Sequence, residues 1–334
     1  MKKHRNGSRG WRLIAILGAL SFLGWQCGNP VNNGSSYPNR PITFIVPWSP
    51  GGMTDVSSRA LAAVLAKHLG VPVNVINRTG GGGVVGHLAL SQAAPDGYTL
   101  GAMTVEITMM HYLGMTDLTA KNFTPLSLVI DNAAALTVKA DSPYQSFAEL
   151  LNAIRQHPGS LQASGTARGG IWDLARIGFL QAAGLEESSM PWVPSQGAAP
   201  ALQELIAGGI QVVVASLSEV DALRKAGEVR PLVVMADERL TEFPDIPTLK
   251  ESGIDWKSSG WVTVSAPAGL PPDIQEKLDA AIKASLADPE FTQALASAGS
   301  KVRILQGDAL TQFITTADLQ HGQTMAKAGL RENQ

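Results

Sequence analysis

Residues 41–103 read PITFIVPWSPGGMTDVSSRALAAVLAKHLGVPVNVINRTGGGGVVGHLALSQAAPDGYTLGAM, and this stretch decides the fold. Short apolar runs at 41–47, 71–76 and 98–103 have the length and composition of strands. Between them, residues 55–68 and 84–94 carry apolar side chains at helical spacing. The β-α-β-α-β alternation predicts a parallel sheet with helices on its faces.

The same alternation continues downstream and predicts a second α/β lobe. Strands are expected at 133–139, 160–164, 210–215, 231–235 and 261–265, and helices at 146–156, 169–183, 200–207, 219–226, 272–286 and 289–298. The last two helices are expected to return to the first lobe. The predicted boundaries are 40–137 with 258–334 for lobe 1, and 138–257 for lobe 2.

The N-terminal segment predicts export. A basic stretch over 1–12 precedes an apolar run over 13–23, which is the pattern of a signal peptide, assigned here to residues 1–27. The run is short of the ~20 residues that a spanning helix needs, although a retained membrane helix is the alternative. Cys27 is the only cysteine and follows the run, which makes it a candidate lipidation site. Residues 28–39 are expected to form a flexible tether in the periplasm or at the outer face of the cytoplasmic membrane.

Composition and motifs argue against several classes of function. The net charge is −2 and no basic stripe appears, so no nucleic-acid partner is expected. The sequence holds no Gly-x-Ser-x-Gly elbow, no His-Glu-x-x-His motif and no cysteine pair. The six histidines are scattered and are interpreted as surface or helix-face residues. No catalytic residue, metal or cofactor is therefore expected.

Glycine-rich loops follow the predicted strands, where open parallel sheets bind ligands. In the first loop, at 48–55, the N–H groups at a helix start attract anions. Trp48 is placed to stack on a ligand, with core packing as the alternative. Thr54 and Asp55 have helix capping as their alternative role. A third such loop covers residues 164–170, where an ordinary turn is the alternative.

The second loop contains Gly81-x-Gly83-x-x-Gly86, which matches the dinucleotide fingerprint, and Glu106 lies near the position of a ribose-binding acid. An NAD-type dehydrogenase is therefore an alternative function. No Lys-Ser/Thr pair follows the glycines, so the loop is not a P-loop.

Several motifs together resemble the Bug (TctC-type) solute receptors of tripartite tricarboxylate transporters. The resemblance covers nearly the whole chain after residue 40, with its motifs in the family's order. It rests on PWSPGGMTD at 47–55 with Arg59, NRTGGGG at 77–83, PDGYTL at 95–100, VPSQGAAPA at 193–201, FPDIPT at 243–248, APAGLP at 266–271 and DPE at 288–290.

This resemblance implies a two-lobed, type II-like periplasmic-binding fold, in which two parallel or mixed sheets flanked by helices enclose a ligand cleft. It implies a small carboxylate ligand, which is a di- or tricarboxylate, an amino acid or an aromatic acid, held by backbone amides and bridging waters. Membrane permease subunits are the implied partners. A monomer is expected, and a ligand-loaded sensor for a membrane kinase is a further alternative. The predicted ligand-binding residues are Trp48, Ser49, Gly51, Gly52, Thr54, Asp55, Gly82, Gly83, Ser164, Gly165, Thr166, Arg168 and Gly169.

The sequence departs from the family's pattern at three places. Thr79 replaces a proline, Ala167 and Arg168 occupy a loop that often has glycine, a polar residue and glycine, and Asp173 lies near a usual histidine. Arg168 is predicted to pair with a second ligand carboxylate, with a solvent-exposed arginine as the alternative. Glu106 is a candidate partner for a ligand amine.

Overall fold

The computed structural model describes residues 37–331. The signal peptide, Cys27 and residues 28–36 of the tether lie outside the described residues. The strands are β1 Ile42–Val46, β2 Val73–Asn77, β3 Thr99–Thr104, β4 Phe123–Lys139, β5 Ala163–Ser164, β6 Trp192–Val193, β7 Val212–Ser216, β8 Val229–Val234, β9 Ser259–Pro267 and β10 Val302–Leu305. The helices are α1 Met53–Leu69, α2 Val84–Ser91, α3 Phe147–Gln156, α4 Ile171–Ala182, α5 Ala198–Ala207, α6 Leu217–Lys225, α7 Pro272–Ala287, α8 Pro289–Ser297 and α9 Gly307–Lys327.

The strands form one ten-stranded mixed sheet with two parts that share β4. The part called here the first sheet has the order β2-β1-β3-β9-β4-β10, and the second sheet has the order β8-β4-β7-β5-β6. The pairs β1–β2, β1–β3, β5–β6 and β5–β7 are parallel, whereas β9 is antiparallel to both β3 and β4. This confirms the predicted α/β class with parallel and mixed sheets.

Strand β4 connects the two sheets. Its residue Ala133 pairs with Ser259 in the first sheet, and the next residue, Ala134, pairs with Ser216 in the second. The prediction of a strand over 133–139 was wrong at its start, because β4 begins ten residues earlier, at Phe123. Pro125 and two register shifts interrupt the regular strand pattern over residues 123–132, so this part of β4 was not recognised as a strand. The lobe boundaries predicted from the sequence stay a prediction.

Helices cover the outer face of the first sheet. Leu61 of α1, Leu278 of α7 and Phe291 of α8 are all buried in one apolar cluster with Phe44 of β1. The return of the two helices after β9 to the first half of the molecule is therefore as predicted. Tyr37 joins the same side, because its hydroxyl donates to the Gly97 carbonyl at 2.8 Å.

Helix α9 joins elements from both halves. It contacts α4, and His321 on α9 forms a hydrogen bond of 2.8 Å between its Nδ1 and the Thr108 hydroxyl in the turn after β3. The sequence interpretation assigned no element to this region. Within residues 37–331, no helix combines the length and the apolar character needed to span a bilayer.

Candidate ligand-binding site

The loops after β1, β2, β3, β5, β6 and β7 all lie along the line where the two sheets meet. Ser216, the last residue of β7, pairs with Ala134 at the crossing point of β4. Thr104, the last residue of β3, pairs with Val262, three residues from Ser259 at the same crossing. Strands β1 and β2 run in the same direction as β3, and β5 and β6 run in the same direction as β7. The carboxyl ends of all these strands therefore face the same junction.

The loop between β1 and α1 is organised by Asp55. Its carboxylate accepts hydrogen bonds from the Gly51 N–H at 2.9 Å, from Arg59 Nε at 3.0 Å and from Asn77 Nδ2 at 2.9 Å. Burial alone would raise the pKa of Asp55, but the bonds from these three donors outweigh it and hold the pKa below its ordinary value. Because its oxygens have partners inside the protein, Asp55 positions the loop. Its predicted contact with the ligand stays a prediction.

The loop between β5 and α4 has the same construction. The Asp173 carboxylate accepts from the Gly169 N–H at 2.9 Å and from Arg176 Nη2 at 2.6 Å. The side chains of Asp173 and Arg176 are both fully buried. The predicted helix over 169–183 in fact begins at Ile171, because Gly169 is in the left-handed region, with φ +73°, and Gly170 is extended.

Four helices at the junction have glycine as their N-cap residue. The residues before α1, α2, α4 and α5 are Gly52, Gly83, Gly170 and Gly197, and within residues 37–331 none of the four helices has a side-chain cap. By contrast, Ser146 and Asp288 cap α3 and α8 through their side chains. The uncapped starts of α1, α4 and α5 leave N–H donors available, and these donors together with the helix dipole suit an anion. At α2, the first two N–H groups donate instead to the Gly81 and Gly80 carbonyls.

The loop between β2 and α2 is tied to the end of β3 by a fully buried histidine. His87 Nδ1 lies 2.8 Å from the Gly83 carbonyl, and its Nε2 accepts the Thr104 N–H at 3.0 Å. The ring is therefore neutral, with its proton on Nδ1, and burial lowers the pKa of His87 to about 4. Of the two predicted alternatives, a surface or a helix-face residue, the structure shows the second, since His87 lies on the buried face of α2. The sequence pattern did not reveal its two backbone partners. A Cβ placed on Gly83 would lie 3.4 Å from the Trp48 ring.

Glu106 lies in the turn after β3 and is buried. Its carboxyl group accepts from the Thr104 hydroxyl, to which Trp48 Nε1 also donates at 3.4 Å. Burial raises the pKa of Glu106 to about 7, and the charge of Glu219 adds to the shift. Glu219 belongs to α6, so carboxyl groups from both halves of the molecule lie near each other at the junction. The sequence pattern did not indicate Glu219 as part of the site. In the structure its carboxylate accepts from the Ser216 N–H and hydroxyl, which caps the start of α6.

The fingerprint glycine Gly86 has a packing role in this structure. A Cβ on Gly86 would lie 2.5 Å from Pro47 Cα, so only glycine lets α2 approach the end of β1.

The remaining predicted residues lie in the loop after β5. Ser164 is buried, and Gly165 has no room for a side chain because a Cβ would lie 2.2 Å from the Val214 carbonyl. The Thr166 carbonyl accepts from Trp192 Nε1 at 3.2 Å. Arg168 is exposed and pairs with Glu187 at 3.0 Å. The structure therefore favours the alternative of an exposed arginine, with a protein carboxylate as its partner.

Two residues that sequence analysis missed lie beside these loops. Leu113 contacts Gly169 of the second half, and Met115 contacts Gly82 of the first. Both belong to a turn closed by hydrogen bonds from the Leu113 N–H to the Met109 carbonyl and from the Met115 N–H to the Met110 carbonyl. The presence of two large apolar side chains in a loop was the sequence feature that could have indicated these residues.

Two cavities, of about 220 and 440 Å³, open beside the crossing strands. Asp131 and Arg303, which form an ion pair, line both of them. None of the predicted ligand-binding residues lines either cavity, so the glycine loops form a separate region of the junction.

Comparison with known proteins places the chain in a family. The profile of the tripartite tricarboxylate transporter family receptor matches residues 57–330. The chain is 31% identical over 310 residues to the protein BugT of Bordetella pertussis, with 91% of this chain and 93% of BugT covered.

Two solved structures of Rhodopseudomonas palustris proteins are similar over almost their whole length. Rpa4515, determined with adipate, is 29% identical with a TM-score of 0.81, and 88% of this chain and 98% of that chain are covered. MatC, determined with malate, is 25% identical with a TM-score of 0.75, and 86% of this chain and 99% of that chain are covered. These similarities agree with a two-lobed fold. The chain belongs to the receptor family of the tripartite tricarboxylate transporters, whose members are solute-binding receptors and not enzymes.

Proposed function

We propose that this receptor binds a small carboxylate in the cleft between its two sheets and delivers it to the membrane subunits of a tripartite transporter. The adipate and malate of the two related structures are both small carboxylates, which supports this ligand class. We further propose that the protein acts in the periplasm, like its structural relative, the periplasmic binding protein BugD.

The observation that carries the proposal is the pair of matched helix starts in α1 and α4. Each begins at an extended glycine without a side-chain cap, Gly52 or Gly170, at the junction of the sheets. A carboxylate placed there accepts the free N–H groups and interacts favourably with the helix dipole. We therefore propose Ser49, Gly52 and Thr54 as contacts from the first half.

The loop after β5 supplies the contacts from the second half, for which we propose Ser164, Thr166 and the Gly169 region. Gly51 and Gly82 contribute by keeping side chains out of the cleft, whereas Gly83 and Gly165 allow close packing of their loops against Trp48 and β7. Asp55 acts by holding its loop. Trp48, which lies against Gly83, contributes a flat apolar surface.

Closure of the cleft is expected to be a hinge motion about the crossing strands. Ala133 and Ser259, which pair where β4 and β9 leave the first sheet, mark that hinge. The contact of Leu113 with Gly169 joins the two halves and would be lost on opening.

A thermal-shift screen of the purified full chain against succinate, malate, adipate and citrate tests the proposal, with NAD and NADP as controls. A carboxylate at one hundred times its Kd adds about 2.7 kcal/mol to the free energy of unfolding and raises the Tm. We expect a shift with at least one carboxylate and none with the nucleotides. A shift with the nucleotides alone would contradict the proposal.

A further inference from the structure

An apolar turn lies between the two glycine loops of the cleft. A Cβ placed on Gly169 would lie 3.0 Å from both Cδ atoms of Leu113, and one placed on Gly82 would lie 3.2 Å from Met115 Cε. Leu113 and Met115 are two residues apart, so one short turn contacts a ligand loop of each half.

Gly82 and Gly169 have no side chain between their backbone and this turn. Gly82 has φ +61° and Gly169 has φ +73°, a conformation that strongly favours glycine. The neighbouring surface is therefore formed by the Leu113 and Met115 side chains. Met115 is 44% exposed although it is apolar, so hydrocarbon surface remains accessible beside Gly82.

Trp48 extends this apolar surface on the other side of the loop. Its ring lies against Gly83, and its Nε1 is hydrogen-bonded to the Thr104 hydroxyl. Trp48 is partly buried against the apolar core of the first sheet, so only the remaining part of its ring can contact a ligand. We call Trp48, Leu113 and Met115 the apolar wall.

Among the predicted contact residues, the two with charged side chains, Asp55 and Arg168, are paired within the protein. Asp55 is held by Arg59, and Arg168 is held by Glu187. Neither pair leaves a charge that would favour hydroxyl or amine groups along the ligand body, whereas the uncapped helix starts remain for its carboxylate.

We propose that the apolar wall selects carboxylates whose body is an unsubstituted hydrocarbon chain over hydroxylated carboxylates of the same length. This inference rests on the proposed function and specifies its ligand class. Each methylene that the wall covers should tighten binding about fourfold, which corresponds to about 0.8 kcal/mol. A hydroxyl against the same wall loses hydrogen bonds to water and weakens binding.

Isothermal titration of the purified full chain with succinate, glutarate, adipate and malate tests this. We expect affinity to rise about fourfold per methylene from succinate to adipate, and succinate to bind more tightly than malate, which adds one hydroxyl. Met115→Gln and Leu113→Asn replace the side chains by polar ones of similar size, and they should reduce the increment per methylene to less than about twofold.

Two further variants separate selectivity from general effects. Leu319→Asn exchanges an exposed leucine on α9 that is outside the apolar wall and should leave the increment unchanged. Met115→Leu exchanges one apolar side chain for another at an exposed position, where misfolding is not expected. This variant should keep the wild-type increase in affinity per methylene.

The outcomes distinguish a failure of the proposed receptor function from a failure of the proposed selectivity of the apolar wall. If neither these four carboxylates nor the citrate of the thermal-shift screen binds, the proposed function fails, and if citrate alone binds, the apolar wall does not select the ligand. If the four carboxylates bind with no increment per methylene, if malate binds more tightly than succinate, or if Met115→Gln keeps the full increment, the apolar wall does not select the ligand, while the receptor function stands.

Discussion

Asp55 and Asp173 occupy equivalent positions in the two halves of the molecule. Each accepts the N–H of a glycine four residues earlier, Gly51 or Gly169, at 2.9 Å. Both glycines have positive φ, and both aspartates pair with an arginine on the next turn of the same helix. The two halves thus present the same Gly-Gly-x-x-Asp helix start to the cleft, although their sequences around it differ.

The two aspartates should differ in their contribution to stability. Asp173→Asn should lower the free energy of unfolding by about 3 kcal/mol, at the low end for a broken buried pair, because Arg176 then keeps a buried charge with Glu187 as its remaining carboxylate partner. Asp55→Asn should cost about 1–3 kcal/mol, since Arg59 is half exposed and water can replace part of the interaction. Chemical denaturation measures both. Asp237→Asn, in the exposed pair with Lys257, is the control and should cost less than about 1 kcal/mol. Equal losses for all three variants would contradict the assignment.

Gly52→Ser should separate stability from ligand binding. Gly52 already has the extended backbone of an N-cap residue, so serine can accept an N–H of the first turn of α1 and stabilise the protein by about 0.3 kcal/mol. The same hydrogen bond occupies a donor that the ligand carboxylate needs, so we expect affinity to fall at least about tenfold, or about 1.4 kcal/mol. Ser146→Gly on α3 is the reverse exchange at a capped helix and should lower stability without changing affinity. Unchanged carboxylate affinity in Gly52→Ser would remove α1 from the site.

Glu106 and His87 should act in opposite directions on the pH dependence of stability. Because burial lowers the pKa of His87 from 6.5 to about 4, the unfolded chain binds this proton first, and stability falls as pH drops from 6.5 to 4. The raised pKa of Glu106, about 7 instead of 4.5, means that the folded chain keeps its proton longer. Stability from this group therefore falls as pH rises from 4.5 to 7.

Glu106→Gln removes the second effect. Between pH 4.5 and 6.5, the free energy of unfolding of this variant should rise with pH more steeply than that of the wild type, by up to about 1.4 kcal/mol per pH unit. Denaturation series at several pH values measure the two slopes. Glu276→Gln, on the exposed side of α7, should run parallel to the wild type. A Glu106→Gln curve parallel to both would show that this carboxyl group does not titrate in that range.

Arg168→Ala should change carboxylate affinity by less than about fivefold. Arg168 is half exposed and already paired with Glu187, and such surface pairs contribute about 0.2–1 kcal/mol. Titration with the best-binding carboxylate of the screen measures the effect. A loss of a hundredfold would instead restore the prediction that Arg168 pairs with a second ligand carboxylate.

The local fold was predictable wherever strand and helix patterns are regular. The stretch 41–103 gave β1, α1, β2, α2 and β3 in the right order, because glycines mark each boundary. Strand β5 was shorter than expected, with two residues, and β6 and β10 were missed because two- and four-residue strands carry almost no periodicity. Helix α9 was missed because its threonines and glycines weaken the helical pattern.

The candidate site was predictable in position but not in its internal contacts. The strand-loop-helix rule located the glycine loops of both halves. It could not show that Asp55 is engaged with Arg59, or that Leu113 reaches Gly169, because those contacts depend on helix phase and on how the two sheets face each other. The role of His87 was hidden for the same reason, since both of its partners are backbone groups.

Strand β4 has a consequence for how the protein melts. Its first part pairs with β9 and β10 and its last part with β7 and β8, so neither half can lose its sheet without exposing a strand of the other. The two halves should therefore behave as one cooperative unit, with a single calorimetric transition whose van't Hoff and calorimetric enthalpies agree. The amide protons of Leu128 and Leu136, on either side of the crossing, should exchange with solvent at rates set by the same global opening.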